Sequence, residues 1–479
     1  MARREKHGRT VAQELAAFVE RSSYEELSEG ARQALKIRIL DALGCALGAL
    51  DGPPVQMVRD QVEEFGGAPL STLIGGGRTA PDRSALYNGS LVRYLDFNDG
   101  YLAKGETCHP SDSLAPVLAA AEYANASGRG LLAALAVAYQ VQCRLSDAAP
   151  VRARGFDHTT QGAYAMAAGV SKALGLDAAQ TAHAIAIAGT ACNALRVTRT
   201  GSLSHWKGLA APDTAFAATH AAFLAMRGIT GPLEVFEGNK GFMETIAGPF
   251  EVCWAREDLE RVTRTIVKKY NAELHSQSAI EGLLELAQEA GIAAADMAAL
   301  DVEIFDVAFK IIGGGEEGDK TAVRTKEEAD HSLPYLLAVA LLDREVMPEQ
   351  FRPERIRARD VQRLLRRVRV RLSEAYSRRF PEEMPCRLAL HLTDGRTVAR
   401  EKHDYEGFLT RPMGWEGAER KFERLSSRYA DATLQGDIAD AVKGLDSLRA
   451  RDLTRLLAQA RAPESAYRGA GGREHGKAA

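Results

Sequence analysis

Long alanine-rich runs in the first half of the chain restrict its fold more than any other feature. Segments 113–126, 130–146, 161–174, 178–191 and 208–227 all have this character and carry few β-branched runs. Alanine loses no side-chain entropy in a helix and presents only a methyl group to a neighbour, so these segments predict helices packed on helices. Residues 31–49 place Leu35, Ile39, Leu43 and Leu47 at four-residue steps, one apolar stripe of a helix. The small residues Ala42, Gly44, Ala46 and Gly48 predict close approach by a second helix. Ser113 reads as a helix cap, and Gly169, Gly175 and Gly228 read as breakers or C-caps. The expectation for this half is an all-α domain.

The pattern changes near residue 262. Val262–Val267 is β-prone, a helix is expected over 275–291, and 300–307 alternates as a half-buried strand. Residues 367–372 and 386–392 read as a hairpin, with the second strand turning through Thr393-Asp394-Gly395-Arg396 into Thr397-Val398-Ala399. Helical stretches 327–343 and 358–366 lie between these strands, which predicts a smaller α+β domain. Charged helices are expected over 417–430, 435–445 and 450–461. The expected fold is mainly α, with residues 1–265 and 405–462 forming the helical domain and 266–404 the α+β domain. The small, polar segment 463–479 reads as a disordered tail.

With 479 residues, the chain is long enough for more than one core. A net charge of -3 gives no electrostatic footprint for nucleic acid. Cys45, Cys108, Cys143, Cys192, Cys253 and Cys386 form no CxxC pair, so no zinc or cysteine-bracketed iron–sulfur motif is present. The basic start, Met1 to Arg9, is not followed by an apolar stretch of the secretory type. No apolar run is long enough to span a bilayer. The resulting expectation is a cytoplasmic protein, not bound to membrane.

Four clusters carry groups suited to proton transfer. The first, residues 94–112, holds Asp96, Asp99, Lys104 and His109 in a loop longer than a helix connection needs. The second is Asp157-His158-Thr159-Thr160 at a helix entrance, where a threonine could cap. The third runs from Arg196 to Gly208 and sets Lys207 at a helix start, where free N–H groups attract anions. The fourth, Lys268-Lys269-Tyr270 through His275, sits at the junction of the two expected domains, a favoured place for small ligands. Lysines and histidines with aspartate, and no metal-spacing motif, fit acid–base chemistry on a polycarboxylate. His205 and His331 stay unassigned between site and core.

At these clusters the chain resembles the MmgE/PrpD family, whose members include 2-methylcitrate dehydratase. The resemblance is carried by Leu95-Asp96-Phe97-Asn98-Asp99, Lys104 to Asp112, Asp157-His158, Trp206-Lys207-Gly208, Ala272 to Gln277 and Ala329 to Tyr335. It implies a helical domain with an α+β lid, a homodimer, and catalysis that needs no metal, iron–sulfur cluster or other cofactor. Asp96, His109, His158, Lys207 and Lys268 match the family's catalytic positions. Asp99, Lys104, Arg196, Lys269 and His275 are the candidate substrate contacts, His275 matching a motif of the dehydratase branch. Family members also decarboxylate cis-aconitate or epimerise iminodisuccinate. Gly100 stands where the decarboxylase branch has a threonine, and Glu273 where it has a histidine. The epimerase branch differs around 268–275. The implied activity is therefore dehydration of 2-methylcitrate, with an epimerase, isomerase or decarboxylase of a related acid as the alternative.

Overall fold

The computed structural model describes residues 8–461; the tail expected to be disordered lies outside the described residues. Helices α1 (Val11–Arg21), α2 (Glu29–Gly48), α3 (Pro53–Phe65), α4 (Pro81–Tyr94), α5 (Leu114–Tyr123), α6 (Gly128–Ala148), α7 (Thr159–Leu174), α8 (Ala178–Ala191) and α9 (Trp206–Met226) build the first half. Their starts follow local chemistry: Thr10 and Gln13 form a capping box for α1, Asp177 and Gln180 one for α8, and Ser28 caps α2. Ser113 precedes α5 without a side-chain capping bond.

This half is not purely helical. Ser71–Thr72 (β1) pairs with Arg78–Thr79 (β2), and Tyr101–Ala103 (β3) pairs with Glu106–Cys108 (β4). The second hairpin lies inside the long loop picked out for its chemistry. Gly105, at φ +90°, makes its tight turn. Gly169 is not a breaker either. It sits within α7, and a Cβ there would come within 2.9 Å of both Ala138 Cβ and Val117 Cγ2, so it marks a close helix crossing. Gly175, by contrast, ends α7 in the left-handed conformation.

The second body contains α10 (Gln277–Glu289), β5 (Met297–Ile304), α11 (Asp306–Ile312), α12 (Lys326–Ala329), α13 (Leu333–Asp343), α14 (Pro353–Ile356), α15 (Arg359–Leu364), β6 (Val368–Leu372), α16 (Glu374–Ser377), β7 (Cys386–Leu392) and β8 (Thr397–Lys402). The sheet order is β6-β5-β7-β8; β5 and β6 run parallel and the other pairs antiparallel. The expected hairpin of 367–372 with 386–392 does not form, because β5 lies between those strands. The alternating arginines of β6 belong to an edge strand, where charge blocks further pairing. The β7–β8 hairpin does form, with Leu390 opposite Val398. The β-prone segment 262–267 is not a strand. Arg261–Arg264 makes a 3₁₀ turn, and Arg38 donates to both Thr265 Oγ1 and Thr265 O, taking up backbone a strand would use.

The chain then returns to the helical body with α17 (Trp415–Ser426), α18 (Ala432–Lys443) and α19 (Ala450–Leu457). Phe422, Leu425, Ile438 and Leu453 pack in the same core as α1–α9, whereas residues from Ile266 to Phe408 form a second core. The small face of α2 receives α17: a Cβ on Gly44 would lie 3.1 Å from Phe422 Cα. No helix among the described residues is long and apolar enough to cross a membrane.

Candidate active site

Where the helical body meets the sheet-bearing one, charged side chains line a cavity of about 50 Å³. Asp96, His109, His158, Arg196, Lys268 and His275 line it, all six named from the sequence. Lys207 stands behind this wall and reaches it through Asp96. Asp99 lies deeper. Lys104 is exposed at the β3–β4 turn, away from the lining, and Lys269 faces another groove, paired with Glu281 and Glu406. Of the residues expected to contact substrate, Lys104 and Lys269 are therefore not brought to this cavity. Lys104 followed the hairpin turn out to solvent, and Lys269 points to the opposite side of the chain from its neighbour Lys268. His205 is also exposed, on a separate groove, whereas His331 lines the cavity.

Asp96 is the hub. Its φ of +56° is unusual for a residue with a Cβ and brings its carboxylate back over the chain. Lys268 Nζ donates to Asp96 O at 2.6 Å and to Oδ1 at 2.8 Å, Arg93 Nη1 donates to Oδ1 at 2.7 Å, and Lys207 Nζ lies 3.0 Å from Oδ2. Burial alone would raise the Asp96 carboxyl; Arg93, Lys268 and Lys207 overcome it and hold the group well below the usual carboxylate range. Lys207 also donates to Asp330 Oδ1 at 2.5 Å, and Lys326 donates to Asp330 Oδ2 at 2.8 Å. Burial lowers the Lys268 ammonium, with Asp96 pulling the other way. Asp96, Asp330 and His331 offer a possible three-ligand cation cage. Lysine and arginine already neutralise both of its carboxylates, so the donor set suits ammonium better than a metal ion.

His109 is oriented by the backbone. Its Nδ1 lies 2.7 Å from Asp99 O, and a carbonyl can only accept, so the proton sits on Nδ1 and Nε2 keeps its lone pair. Burial, reinforced by Arg93 and Lys268, holds this imidazole well below its ordinary range, hence neutral. Asp99 fixes the loop by accepting from Ser111 N and Tyr139 Oη; burial pushes its carboxyl up to about 6 against those bonds. His158 stacks edge-on against His109, ring centroids 5.3 Å apart, with Asp157 Oδ1 3.4 Å from Nδ1 and Asp112 Oδ2 3.9 Å from Nε2. It precedes α7 in place of the expected threonine cap. Thr159 and Thr160 lie inside that helix, where their hydroxyls make no hydrogen bond.

Sequence reasoning assigned no site role to several parts of this wall. Arg93 ends α4 and looks like a helix-terminal surface charge, yet it is 3% exposed. Arg199 donates to Asp157 Oδ2 at 2.9 Å and to Lys207 O at 2.6 Å, setting both histidine-side and lysine-side segments. Glu106, from the unforeseen hairpin, accepts from the backbone N of Val151 and Arg152, both at 3.0 Å. Glu273 accepts from His275 Nδ1 at 2.6 Å and, despite burial, is drawn down to about 2 by that histidine. The spacing Glu273-Leu274-His275 was the available signal. Nothing in the sequence alone could have paired Asp330 with Lys207.

Residues 13–255 match the MmgE/PrpD N-terminal domain and 270–447 the MmgE/PrpD C-terminal domain. The chain belongs to the MmgE/PrpD family. Among its relatives, the 2-methylcitrate dehydratase of Escherichia coli (strain K12) is 29% identical over 67% of this chain and 69% of its own length. The mitochondrial 2-methylcitrate dehydratase of Yarrowia lipolytica is 28% identical over 72% and 68%. The cis-aconitate decarboxylase of Mus musculus is 25% identical over 94% and 93%. The matched C-terminal domain continues past the sheet into α18, whose side chains nevertheless pack in the first core.

Proposed function

We propose that this MmgE/PrpD protein is a cofactor-independent, metal-independent hydro-lyase that dehydrates 2-methylcitrate to 2-methylaconitate, a step of the 2-methylcitrate cycle in propionate catabolism. The observation that carries the reading is the neutral His109, its Nδ1 spent on Asp99 O, beside the ammonium of Lys268. His109 Nε2 takes the proton from the carbon next to a substrate carboxylate. The electron pair moves into that carboxylate, whose growing negative charge Lys268 and, through Asp96, Lys207 stabilise. The C–O bond on the adjacent carbon then breaks, and His158, with carboxylates near both ring nitrogens, delivers the proton that turns the departing hydroxide into water. Asp96 positions both lysines. Asp99 acts by holding His109 and its loop.

One feature weighs against the decarboxylase alternative. A Cβ at Gly100 would lie 2.5 Å from Leu274 Cδ2, so Leu274 fills the space a threonine side chain would occupy. The substrate is a small polycarboxylate; the homodimer and the cytoplasmic location belong to the same proposal, the former tested by light scattering of the purified protein.

The decisive assay follows the ultraviolet absorbance of a conjugated alkene acid when EDTA-treated enzyme meets 2-methylcitrate, citrate or cis-aconitate. A rise with 2-methylcitrate is expected. His109→Asn and Lys207→Met should lower it by about 10²–10⁴-fold, with the far-ultraviolet circular dichroism of His109→Asn unchanged. Carbon dioxide release from cis-aconitate, or no rise with any substrate, would overturn the dehydratase assignment.

A further inference from the structure

A cavity of about 50 Å³ has room for a few water molecules, not for a tricarboxylate. Something around it must give way, and just behind its wall a carboxylate holds two of the lining arginines. Glu317 belongs to the sheet-bearing body, in the segment after α11, and its side chain is 2% exposed. It reaches across the cleft to two arginines of the helical body. Its Oε1 accepts from Arg196 Nη2 at 2.6 Å and from Arg152 Nη2 at 3.4 Å. Both arginines line the cavity; Glu317 does not.

The two partners differ in how firmly they are held. The arginine-bearing segments are zipped together through their backbones: Arg196 N donates to Gly155 O at 2.9 Å, Asp157 N donates to Ala194 O at 2.9 Å, and Glu106 holds Arg152 N. By its backbone the Glu317 segment is tied, among the described residues, only to the end of its own preceding helix, Glu317 N donating to Lys310 O at 3.0 Å and Gly315 N to Phe309 O at 3.1 Å. It is bracketed by Gly314 and Gly318, both at positive φ with nothing near the space of a Cβ. Glu317 is also a poor occupant. Both guanidinium groups address one oxygen, while Oε2 is buried without a hydrogen bond. Burial raises the Glu317 carboxyl more than the two arginines lower it, so the contact is weakly favoured. Arg196 Nη1 also lies 3.8 Å from Asp157 Oδ2, which Arg199 holds at 2.9 Å, so Arg196 keeps a second carboxylate beside it when Glu317 leaves.

We propose that Arg152 and Arg196 form the anchor for a substrate carboxylate, and that Glu317 occupies this anchor in the empty site and surrenders it when a polycarboxylate enters. The proposal rests on the polycarboxylate reading of the site. Arg152 and Arg196 are binding residues, and Glu317 is a positioning residue that competes with substrate. The apparent affinity for substrate is therefore reduced by the fraction of molecules in which the anchor is free.

The test combines turnover of 2-methylcitrate with calorimetric binding of propane-1,2,3-tricarboxylate, which lacks the leaving hydroxyl, using the full chain. Glu317→Gln should tighten tricarboxylate binding and lower the KM by about tenfold, with a smaller change in kcat. Arg196→Gln and, separately, Arg152→Gln should weaken binding and raise KM by tenfold or more. Amide exchange in 313–320 should rise in Glu317→Gln without ligand. Unchanged or weaker binding by Glu317→Gln overturns the proposal, as does no tricarboxylate binding by that variant, since a freed anchor must accept a carboxylate. Tighter binding by Glu317→Gln without turnover of 2-methylcitrate would leave the anchor standing and overturn only the reaction assigned to the site.

Discussion

Burial, reinforced by nearby cations, sets the protonation of two cavity histidines, His109 and His331. His331 Nδ1 donates to Asp330 Oδ1, 2.8 Å away, yet burial and the nearby Lys207 lower it to about 4 against the pull of Asp330 and Asp96. In the unfolded chain a histidine titrates near about 6.5. Between these values the unfolded state binds the extra proton, so His331 contributes stability that is present above about pH 6.5 and lost as pH falls towards 4. Asp99 acts in the opposite sense: its folded carboxyl, raised to about 6, contributes stability present at low pH and lost as pH rises through that value. The two oppose each other over the same window, so the wild-type profile alone hides both. The difference between wild type and His331→Gln isolates one. That difference should change by about 1.4 kcal/mol per pH unit between roughly pH 6.5 and 4, as read by urea unfolding. A difference independent of pH would mean His331 is not held neutral by the folded protein.

At the scale of elements, the sequence was most legible where side-chain size alone decides packing. Alanine-rich segments became α5–α9 nearly as expected, 178–191 to the residue, and the glycines of α2 received α17. Legibility failed where an element's partner is distant in sequence. The charged alternation of β6 looked like half of a hairpin because its true neighbour, β5, lies more than sixty residues earlier. Val262–Val267 has strand-forming residues, but a buried arginine from α2 claims its backbone. The hairpin β3–β4 was invisible for another reason: three-residue strands carry no periodicity to read. The site followed the same division. Motif residues such as His109 and Lys268 were found, while Arg93, Asp330 and Glu317 were not, since their role comes only from contacts across the fold. Gly169 puts the distinction to a measurement. If it were a breaker or cap, its conformational freedom would matter; as a crossing point, its missing Cβ matters. Gly169→Ala should cost about 1–3 kcal/mol through overpacking. Gly436→Ala in α18, where a Cβ would meet nothing within 4 Å, should instead gain about 0.5–1 kcal/mol. Thermal unfolding of the two variants should move in opposite directions, and a stabilised Gly169→Ala would refute the crossing.

For the whole molecule, the arrangement couples chemistry to the joint between two cores. Lys268, His275 and His331 come from the second core's stretch of chain, while Asp96, His109, His158 and Lys207 come from the helical body. One residue from the C-terminal return fastens the joint. Lys421 on α17 donates to Phe97 O and to Lys268 O, both at 2.8 Å, and its ammonium lies 2.6 Å from the buried Asp41. Lys421 thus adds a further tie between the segments bearing Asp96 and Lys268, which also bond each other directly, although more than a hundred residues separate either from Lys421. A ligand that bridges the same joint must stabilise both cores at once, because it contacts groups from each. Propane-1,2,3-tricarboxylate at about one hundred times its Kd should add about 2.7 kcal/mol to unfolding, raising the midpoint reported by Trp254 fluorescence, from the helical core, and by amide exchange in β5 and β7. In Lys268→Met the shift should largely vanish at the same ligand concentration. A shift seen in only one of the two cores would mean that the ligand sits within a single body and that the cleft is not where the polycarboxylate binds.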